Sequence, residues 1–172
     1  MSNLFIKGER LEIRKRYFLS KKDVKKIKKE LEEFFENVDE IIPKKGNVEI
    51  AITDDFEIIL VDKEPIAFKK DDKVIPTLKL LLKSLPNKNL VVVDMGAIKF
   101  LINGADVMAP GIVEADENIK EEDIVFVVDE THKKPICVGI ALMNGKEMKE
   151  ADKGKAIKNL HYVGDKIWNF KG

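Results

Sequence analysis

The chain contains few of the residues that usually carry enzyme chemistry. Among its 172 residues are one cysteine and two histidines. A single cysteine excludes both a disulfide framework and a zinc site built from several thiolates. Because Cys137 lies among apolar residues, we predict that it packs in the core rather than acting as a nucleophile.

The common catalytic motifs are also missing. The sequence has no glycine-rich dinucleotide or phosphate loop, no metalloprotease histidine pair and no serine-hydrolase elbow. Asp94, Asp106 and Asp165 could be read as an acidic cluster, but capping and turn formation explain them better. We therefore predict a protein that is not an enzyme, with no catalytic residue, no cofactor and no metal site.

Long apolar runs are absent as well. No segment approaches the ~20 apolar residues that a membrane-spanning helix needs. The N-terminus shows no apolar segment of the signal-peptide type, so the sequence favours a cytoplasmic protein. With 44% hydrophobic and 36% charged residues, the chain can bury a core and remain soluble.

A net charge of zero hides an uneven distribution of charge. Residues 1–30 contain eleven basic and four acidic side chains, a net charge of +7, whereas residues 87–172 have a net charge of −2. The three arginines are Arg10, Arg14 and Arg16. A basic region confined to one part of a chain is typical of contacts with nucleic-acid phosphates.

The first half of the chain alternates strand and helix signals. Residues 4–19 predict a strand with one basic face, and Ser20 can cap a helix over residues 21–36. The apolar stripe of this helix consists of Val24, Ile27, Leu31, Phe34 and Phe35. Much of the remaining helix surface consists of lysines: Lys21, Lys22, Lys25, Lys26, Lys28 and Lys29. They form either a solvated face or, with Arg14 and Arg16, a phosphate-binding face.

Short apolar segments follow at residues 48–52, 57–61 and 66–68, joined by polar turns. This spacing predicts an antiparallel meander. A second helix is predicted over residues 77–84, and Pro86 to Asn89 form the best domain boundary. Residues 1–86 are thus predicted to be an α+β domain with an antiparallel sheet.

Residues 90–112 combine several local signals. Residues 90–93 predict a buried strand, Asp94 a helix cap, and residues 97–102 two turns of amphipathic helix. Gly104 is expected to end that helix with a positive φ, and Pro110-Gly111 to form a type II turn. Strands are then predicted at residues 124–128, 136–143, 156–160 and 167–170, with a helical turn at 147–151. Residues 90–172 are therefore mostly β.

Four ordered blocks in this half resemble the PUA domain, an RNA-binding module. They are residues 104–112, 136–141, 153–157 and 161–168. The resemblance implies a small β pseudo-barrel and an RNA groove formed by Lys99, Gly104, Ala105, Asp106, Pro110, Gly111, Lys155, Lys158 and His161. For His161, a packed imidazole bonded to backbone remains an equal alternative, whereas His132 is expected to be exposed in a turn.

The whole chain resembles the family of the malignant T-cell-amplified protein, which includes the N-terminal part of ligatin-type initiation factors. The resemblance implies a translation protein that binds the small ribosomal subunit and the acceptor end of tRNA, in initiation or recycling. Eukaryotic members act with a partner bearing a start-codon-sensing domain, and no such domain is recognisable in this sequence. Two alternatives remain: an accessory subunit for an RNA-modification enzyme, and a protein-interaction module that uses Phe34 and Phe35.

Overall fold

Two β-sheets, one from each half of the chain, form the framework of the molecule. The computed structural model describes residues 11–172. The first sheet is a five-stranded antiparallel meander in the order β1-β2-β3-β4-β5. Its strands are Ile13–Phe18, Val48–Thr53, Glu57–Val61, Glu64–Lys70 and Lys73–Pro76. The meander is confirmed. The sequence did not predict β5, and the part of the predicted first strand that includes Arg10 lies outside the described residues.

Strand β1 is more exposed to solvent than the sequence predicted. Both of its faces are largely exposed, and the expected apolar side includes Ile13 at 43% exposure and Tyr17 at 42%. Because β1 is paired with β2 and forms the edge of the sheet, its side chains have fewer neighbours than those of the inner strands.

Helix α1 (Lys21–Leu31) is shorter than predicted. Its N-terminus is as expected, because the Ser20 Oγ accepts a hydrogen bond from the Asp23 N–H at 3.2 Å. The helix ends at Leu31 rather than residue 36, just before two glutamates at its negative end, where acidic side chains are unfavourable. Phe34 and Phe35 lie in the following turn and are buried, so they offer no exposed face to a protein partner.

Two further helices complete the first half. The short helix α2 (Val38–Ile41) had no sequence signal. Helix α3 (Leu78–Lys83) was predicted, and it is capped by Thr77, whose hydroxyl accepts from the Leu80 N–H at 3.2 Å.

The second sheet has six strands in the order β7-β11-β10-β9-β6-β8. Its strands are β6 (Leu90–Val93), β7 (Val107–Met108), β8 (Ile112–Ala115), β9 (Ile124–Asp129), β10 (Pro135–Ala141) and β11 (Lys155–Tyr162). Strands β6 and β9 are parallel, and the other pairs are antiparallel. The predicted α+β class is confirmed.

Two short helices accompany this sheet. Helix α4 (Ile98–Leu101) follows β6, and helix α5 (Gly145–Glu150) begins with a capping box at Asn144. A strand predicted over residues 167–170 is wrong, because these residues form turns after β11. Ile167 is instead buried in the core of the first half. No helix within residues 11–172 is long and apolar enough to cross a membrane.

The two halves share a hydrophobic core. Strand β9 is covered on both faces: Val125 and Val127 pack inside the second half, while Phe126 packs against the first. The rings of Phe34 and Phe126 meet edge to face with centroids 5.1 Å apart. Hydrogen bonds also fix the segment that connects the two halves. The backbone N–H of the buried Asn89 donates to the Asp116 carboxylate, and its side-chain amide donates to the Ile124 carbonyl, both at 2.9 Å. A domain boundary at Pro86 to Asn89 stays a prediction, but the two halves are in close contact.

Candidate nucleic-acid interface

A groove of about 790 Å³ lies in the second half, between helix α4 and the turns that precede and follow β7. We call it the C-terminal groove. Six residues predicted from the sequence line it: Gly104, Ala105, Asp106, Pro110, Gly111 and Lys155. The structure therefore brings together residues that are up to 51 positions apart in the chain.

Gly104 adopts the predicted left-handed conformation, with φ +92°. A Cβ atom at this position would lie 3.3 Å from the Tyr162 hydroxyl, so the turn also has little space for a side chain on that side. The Asn159 side-chain amide braces the turn by donating to the carbonyls of Leu101 and Ala105, at 3.1 and 3.0 Å. The predicted cap is present too, with the Asp94 carboxylate 3.0 Å from the Ala97 amide nitrogen.

The type II turn predicted at Pro110-Gly111 is wrong. Ala109–Gly111 is a 3₁₀ turn, and Gly111 has no positive φ. Its carbonyl accepts a hydrogen bond from the Asp94 N–H at 2.9 Å, which ties this turn to the start of the α4 region. A Cβ on Gly111 would meet the Ala97 Cβ at 3.4 Å. That is an ordinary van der Waals contact, so neither the backbone angle nor the available space requires glycine here.

The walls of the C-terminal groove are mainly apolar. Phe100 and Met108 line it and are 58% and 46% exposed. Its one lining lysine, Lys155, pairs with Asp106 at 3.2 Å. An exposed aromatic ring beside an approachable backbone suits unstacked RNA bases better than it suits a dense array of phosphates.

His161 does not contribute to this groove. Its side chain is fully buried. The Nε2 atom accepts a hydrogen bond from the Leu78 N–H at 3.0 Å, and the Nδ1 atom lies 2.9 Å from the Asp165 carboxylate. The structure thus shows the packed imidazole and corrects the prediction of an RNA contact. Asp165 also accepts from the backbone amides of Tyr162 and Trp168, at 2.9 and 2.8 Å, as expected of a turn former.

Lys99 and Lys158 are exposed but do not line the C-terminal groove. The Lys99 ammonium lies over the Phe100 ring, 5.1 Å from its centroid, and so remains next to the groove. Lys158 lies on β11, opposite Ile140 of β10. Their contribution to RNA binding stays a prediction.

A second groove, of about 780 Å³, lies in the first half. Lys21, Lys22, Lys25 and Lys28 of the predicted basic face line it, as does Lys44, which had no sequence signal. We call it the lysine groove. The floor includes the apolar side chains of Leu19, Val24 and Val48, and Phe18 lies at its edge with 65% of its surface exposed.

The two arginines predicted to act with these lysines are already paired. Arg16 forms two hydrogen bonds with the Glu49 carboxylate, at 2.8 and 3.1 Å, and Arg14 pairs with Asp54. The hydrogen bond from Arg16 holds the pKa of Glu49 below its usual value. Arg14 lowers the pKa of Asp54 in the same way. Neither arginine lines the lysine groove, so their role as phosphate contacts stays a prediction.

Some residues of these surfaces escaped sequence analysis. Phe100 could have been found, because the apolar stripe of α4 leaves it on the outer face of the helix. Asn159 had no local signal, since its partners are 54 and 58 residues away.

Cys137 is buried as predicted, and burial raises the pKa of its thiol, which disfavours the reactive thiolate. His132 is exposed in its turn, as expected.

The sheet and the C-terminal groove define a class of protein. Residues 89–163 match the PUA domain family, and residues 15–84 match a family described as a domain of unknown function, DUF1947. The PUA domain predicted for the second half is therefore confirmed.

Relatives define the family more closely. An uncharacterized protein of Methanocaldococcus jannaschii is 96% identical over 94% of this chain and 100% of its own length. Translation machinery-associated protein 20 of Saccharomyces cerevisiae is 35% identical over 84% of each chain. Human Malignant T-cell-amplified sequence 2 is 34% identical over 86% of this chain and 87% of its own length. The chain belongs to the family of these translation machinery-associated and malignant T-cell-amplified proteins, as its sequence predicted.

Solved structures agree with this assignment. A hypothetical protein of Pyrococcus horikoshii is 46% identical and superposes with a TM-score of 0.80, covering 90% of this chain and 98% of its own. A conserved PUA domain protein of Thermoplasma acidophilum is 31% identical with a TM-score of 0.75, covering 89% and 97%. Both matches extend across the two halves of the molecule.

Proposed function

We propose that this protein binds RNA without catalysis in the cytoplasmic translation machinery, through the acceptor end of tRNA and the small ribosomal subunit. It would act in initiation or recycling, together with a separate start-codon-sensing protein. Membership of a family with translation machinery-associated relatives supports the process. The observation that carries the RNA contact is the C-terminal groove of the PUA domain.

The shape of this groove favours the single-stranded end of an RNA. Unpaired bases can leave a stack and pack on aromatic side chains, and the exposed Phe100 supplies such a surface. At Gly104 and Ala105 no side chain extends beyond a methyl group, so the backbone of the turn is open to a phosphate or ribose. Lys99 supplies positive charge beside this turn, and Lys155 lies in the groove as the partner of Asp106. A tRNA acceptor end, which is unpaired at its terminus, matches these requirements.

A direct test compares intact tRNA with the same tRNA lacking its three terminal nucleotides. Intact tRNA should bind at least tenfold more tightly in a fluorescence-anisotropy titration, because the groove would contact the removed nucleotides. Co-sedimentation with small ribosomal subunits tests the second contact. Equal affinity for the intact and trimmed tRNA would contradict the assignment of the acceptor end. Absence of the protein from the small-subunit fraction would contradict the ribosomal assignment.

A further inference from the structure

The lysine groove concentrates charge of one sign. Five ammonium groups line it, and its lining contains no carboxylate. Within residues 11–172, only one of the five is in an ion pair with a carboxylate: Lys28, whose Nζ is 3.1 Å from Asp39. A surface of this kind attracts an anion with several charges, because the positive potentials of neighbouring ammonium groups add.

These lysines do not stabilise the helix that carries them. Lys21 and Lys22 occupy the first turn of α1, where the helix dipole disfavours positive charge. Lys21 and Lys25 are four residues apart, and Lys22 and Lys25 are three apart. The two ammonium groups of each pair are therefore neighbours on the helix surface and repel each other. An anionic ligand in the groove would remove this repulsion.

The groove also presents a flat apolar surface. Phe18 is the most exposed of the large hydrophobic side chains within residues 11–172, at 65%, and it belongs to the lining of the groove. Along α1 the lysines from Lys21 to Lys28 extend about 10 Å at the helical rise of ~1.5 Å per residue. A row of cations beside an aromatic side chain is the arrangement by which proteins bind single-stranded nucleic acid: the cations follow the backbone and the ring stacks on a base.

We propose that the lysine groove is a second RNA site, which binds a single strand through its phosphates and stacks one base on Phe18. This site is separate from the C-terminal groove and lies on the other half of the chain. An acidic segment of a partner protein could also pair with the lysines, but it would have no need of a stacking surface. Phe18 therefore distinguishes the two ligands.

The charge part of the proposal is tested with a fluorescein-labelled 12-nucleotide oligouridylate, titrated by anisotropy at several salt concentrations. The variant Lys21→Ala/Lys22→Ala/Lys25→Ala should bind about tenfold more weakly at 0.1 M salt. Its log–log salt slope should be shallower by about 2, at roughly 0.7 per lost contact with a single strand. The matched control is Lys26→Ala/Lys29→Ala/Lys45→Ala, which removes the same charge from exposed lysines outside the groove and should change little.

The stacking part is tested with Phe18→Ala and Phe18→Tyr. Phe18→Ala should weaken binding of the oligouridylate about tenfold, in line with the stacking contribution of one base. Phe18→Tyr keeps the ring and should restore the affinity. Because Phe18 is mostly exposed, neither change should alter the melting temperature.

Three results would overturn the proposal. Equal losses in the two triple-lysine variants would mean that only the overall charge matters. Equal affinity of wild type and Phe18→Ala, with displacement of the RNA by a 12-residue oligoglutamate, would assign the groove to an acidic protein. Equal binding of a 12-base-pair RNA duplex would exclude a preference for single strands. The lysine effect should persist in a Gly104→Glu background, so failure of the C-terminal groove is distinguishable from failure of this one.

Discussion

The two grooves of this protein have nearly the same volume and very different surfaces. The C-terminal groove, at about 790 Å³, has apolar walls and one lysine that is already paired with Asp106. The lysine groove, at about 780 Å³, has five lysines and no carboxylate. Contacts to bases carry sequence and shape information, whereas contacts to phosphates position an RNA. On this basis we propose that the C-terminal groove recognises the RNA and that the lysine groove adds affinity for it.

The grooves also differ in how firmly their walls are held. Hydrogen bonds from Asn159 and to Asp94 fix the turns around the C-terminal groove. The cations of the lysine groove are at the ends of flexible side chains. A pre-organised groove loses less conformational freedom on binding, which favours selectivity. Exposed lysines act through charge that salt screens, so binding there should be the more sensitive to ionic strength.

The largest expected effect concerns the contact that joins the two halves. His161→Ala should lower the free energy of unfolding by about 3 kcal/mol, because it leaves a cavity and removes the partner of the buried Leu78 N–H. Urea denaturation measures this loss. The control is His132→Ala, which changes the exposed histidine and should stay within about 0.5 kcal/mol of wild type. If both variants unfold alike, the His161 contact does not hold the halves together.

The next effect separates the grooves by function. Gly104→Glu adds bulk and negative charge to the turn that borders the C-terminal groove, on the side of Tyr162, so the turn must shift. It should reduce affinity for the tRNA acceptor end about a hundredfold, equivalent to about 2.7 kcal/mol. Gly104→Ala should cost about 1 kcal/mol of stability, since φ is +92° and an added methyl would crowd Tyr162.

Gly164→Glu is the matched control for this experiment. Gly164 also has a positive φ, of +93°, but an added Cβ would meet no atom within 4 Å, and the residue does not line either groove. It should show the same kind of backbone strain without loss of binding. Binding and thermal melting should be measured on all three variants. Normal affinity in a folded Gly104→Glu protein would place the RNA site elsewhere.

The third prediction tests whether the arginines of β1 bind RNA together with the lysines of α1 or only stabilise the fold. Arg16→Ala should lower stability at neutral pH by about 1 kcal/mol, because it removes a bidentate pair with Glu49 that is mostly shielded from water. Since Arg16 depresses the pKa of Glu49 in the folded state, this contribution is present above the usual glutamate pKa and is lost as the pH falls through the folded value. The difference from wild type should therefore shrink below about pH 4.

Lys22→Ala provides the opposite comparison for Arg16→Ala. It should weaken oligouridylate binding without lowering stability at any pH, because Lys22 is exposed on the first turn of α1, where the helix dipole disfavours positive charge. Denaturation curves from pH 3 to 7 and anisotropy titrations measure the two properties. If Arg16→Ala weakened RNA binding as much as Lys22→Ala does, the arginines and lysines would form one phosphate-binding face, as one reading of the sequence predicted.

What the sequence could predict depended on how local each interaction is. The cap at Asp94 and the positive φ of Gly104 were predictable, because each involves residues within a few positions. The same holds for the cap at Ser20, and the cap at Thr77, which was not predicted, is equally local. The conformation at Pro110-Gly111 was not predictable from its own residues. It depends on the hydrogen bond that the Asp94 N–H donates to the Gly111 carbonyl, 17 residues away in the chain.

The burial of His161 could not be deduced for a similar reason. Its partner at Leu78 is 83 residues away, in the other half of the chain. The sequence placed the residue in the correct block, but only the packing of the halves decided which way its side chain points. The charge pattern was likewise incomplete: it showed a basic N-terminal region but not that Arg14 and Arg16 meet carboxylates across the sheet.

The smallest expected effect tests the edge of the C-terminal groove. Lys99 is exposed and does not line the groove, but its ammonium lies 5.1 Å from the centroid of the Phe100 ring. Lys99→Ala should therefore weaken tRNA binding only about threefold, with a change of about 0.7 in the salt slope if one phosphate contact is lost. The melting temperature should not change.

Lys120→Ala is the control for Lys99→Ala. It removes a similarly exposed charge from the same half and outside the C-terminal groove, so it should have no effect on binding. A loss for Lys99→Ala as large as that for the Lys21, Lys22 and Lys25 triple variant would break the contrast between the grooves, because charge would then dominate both. Identical binding by the Lys99 and Lys120 variants would restrict the C-terminal site to its apolar walls and the Gly104 turn.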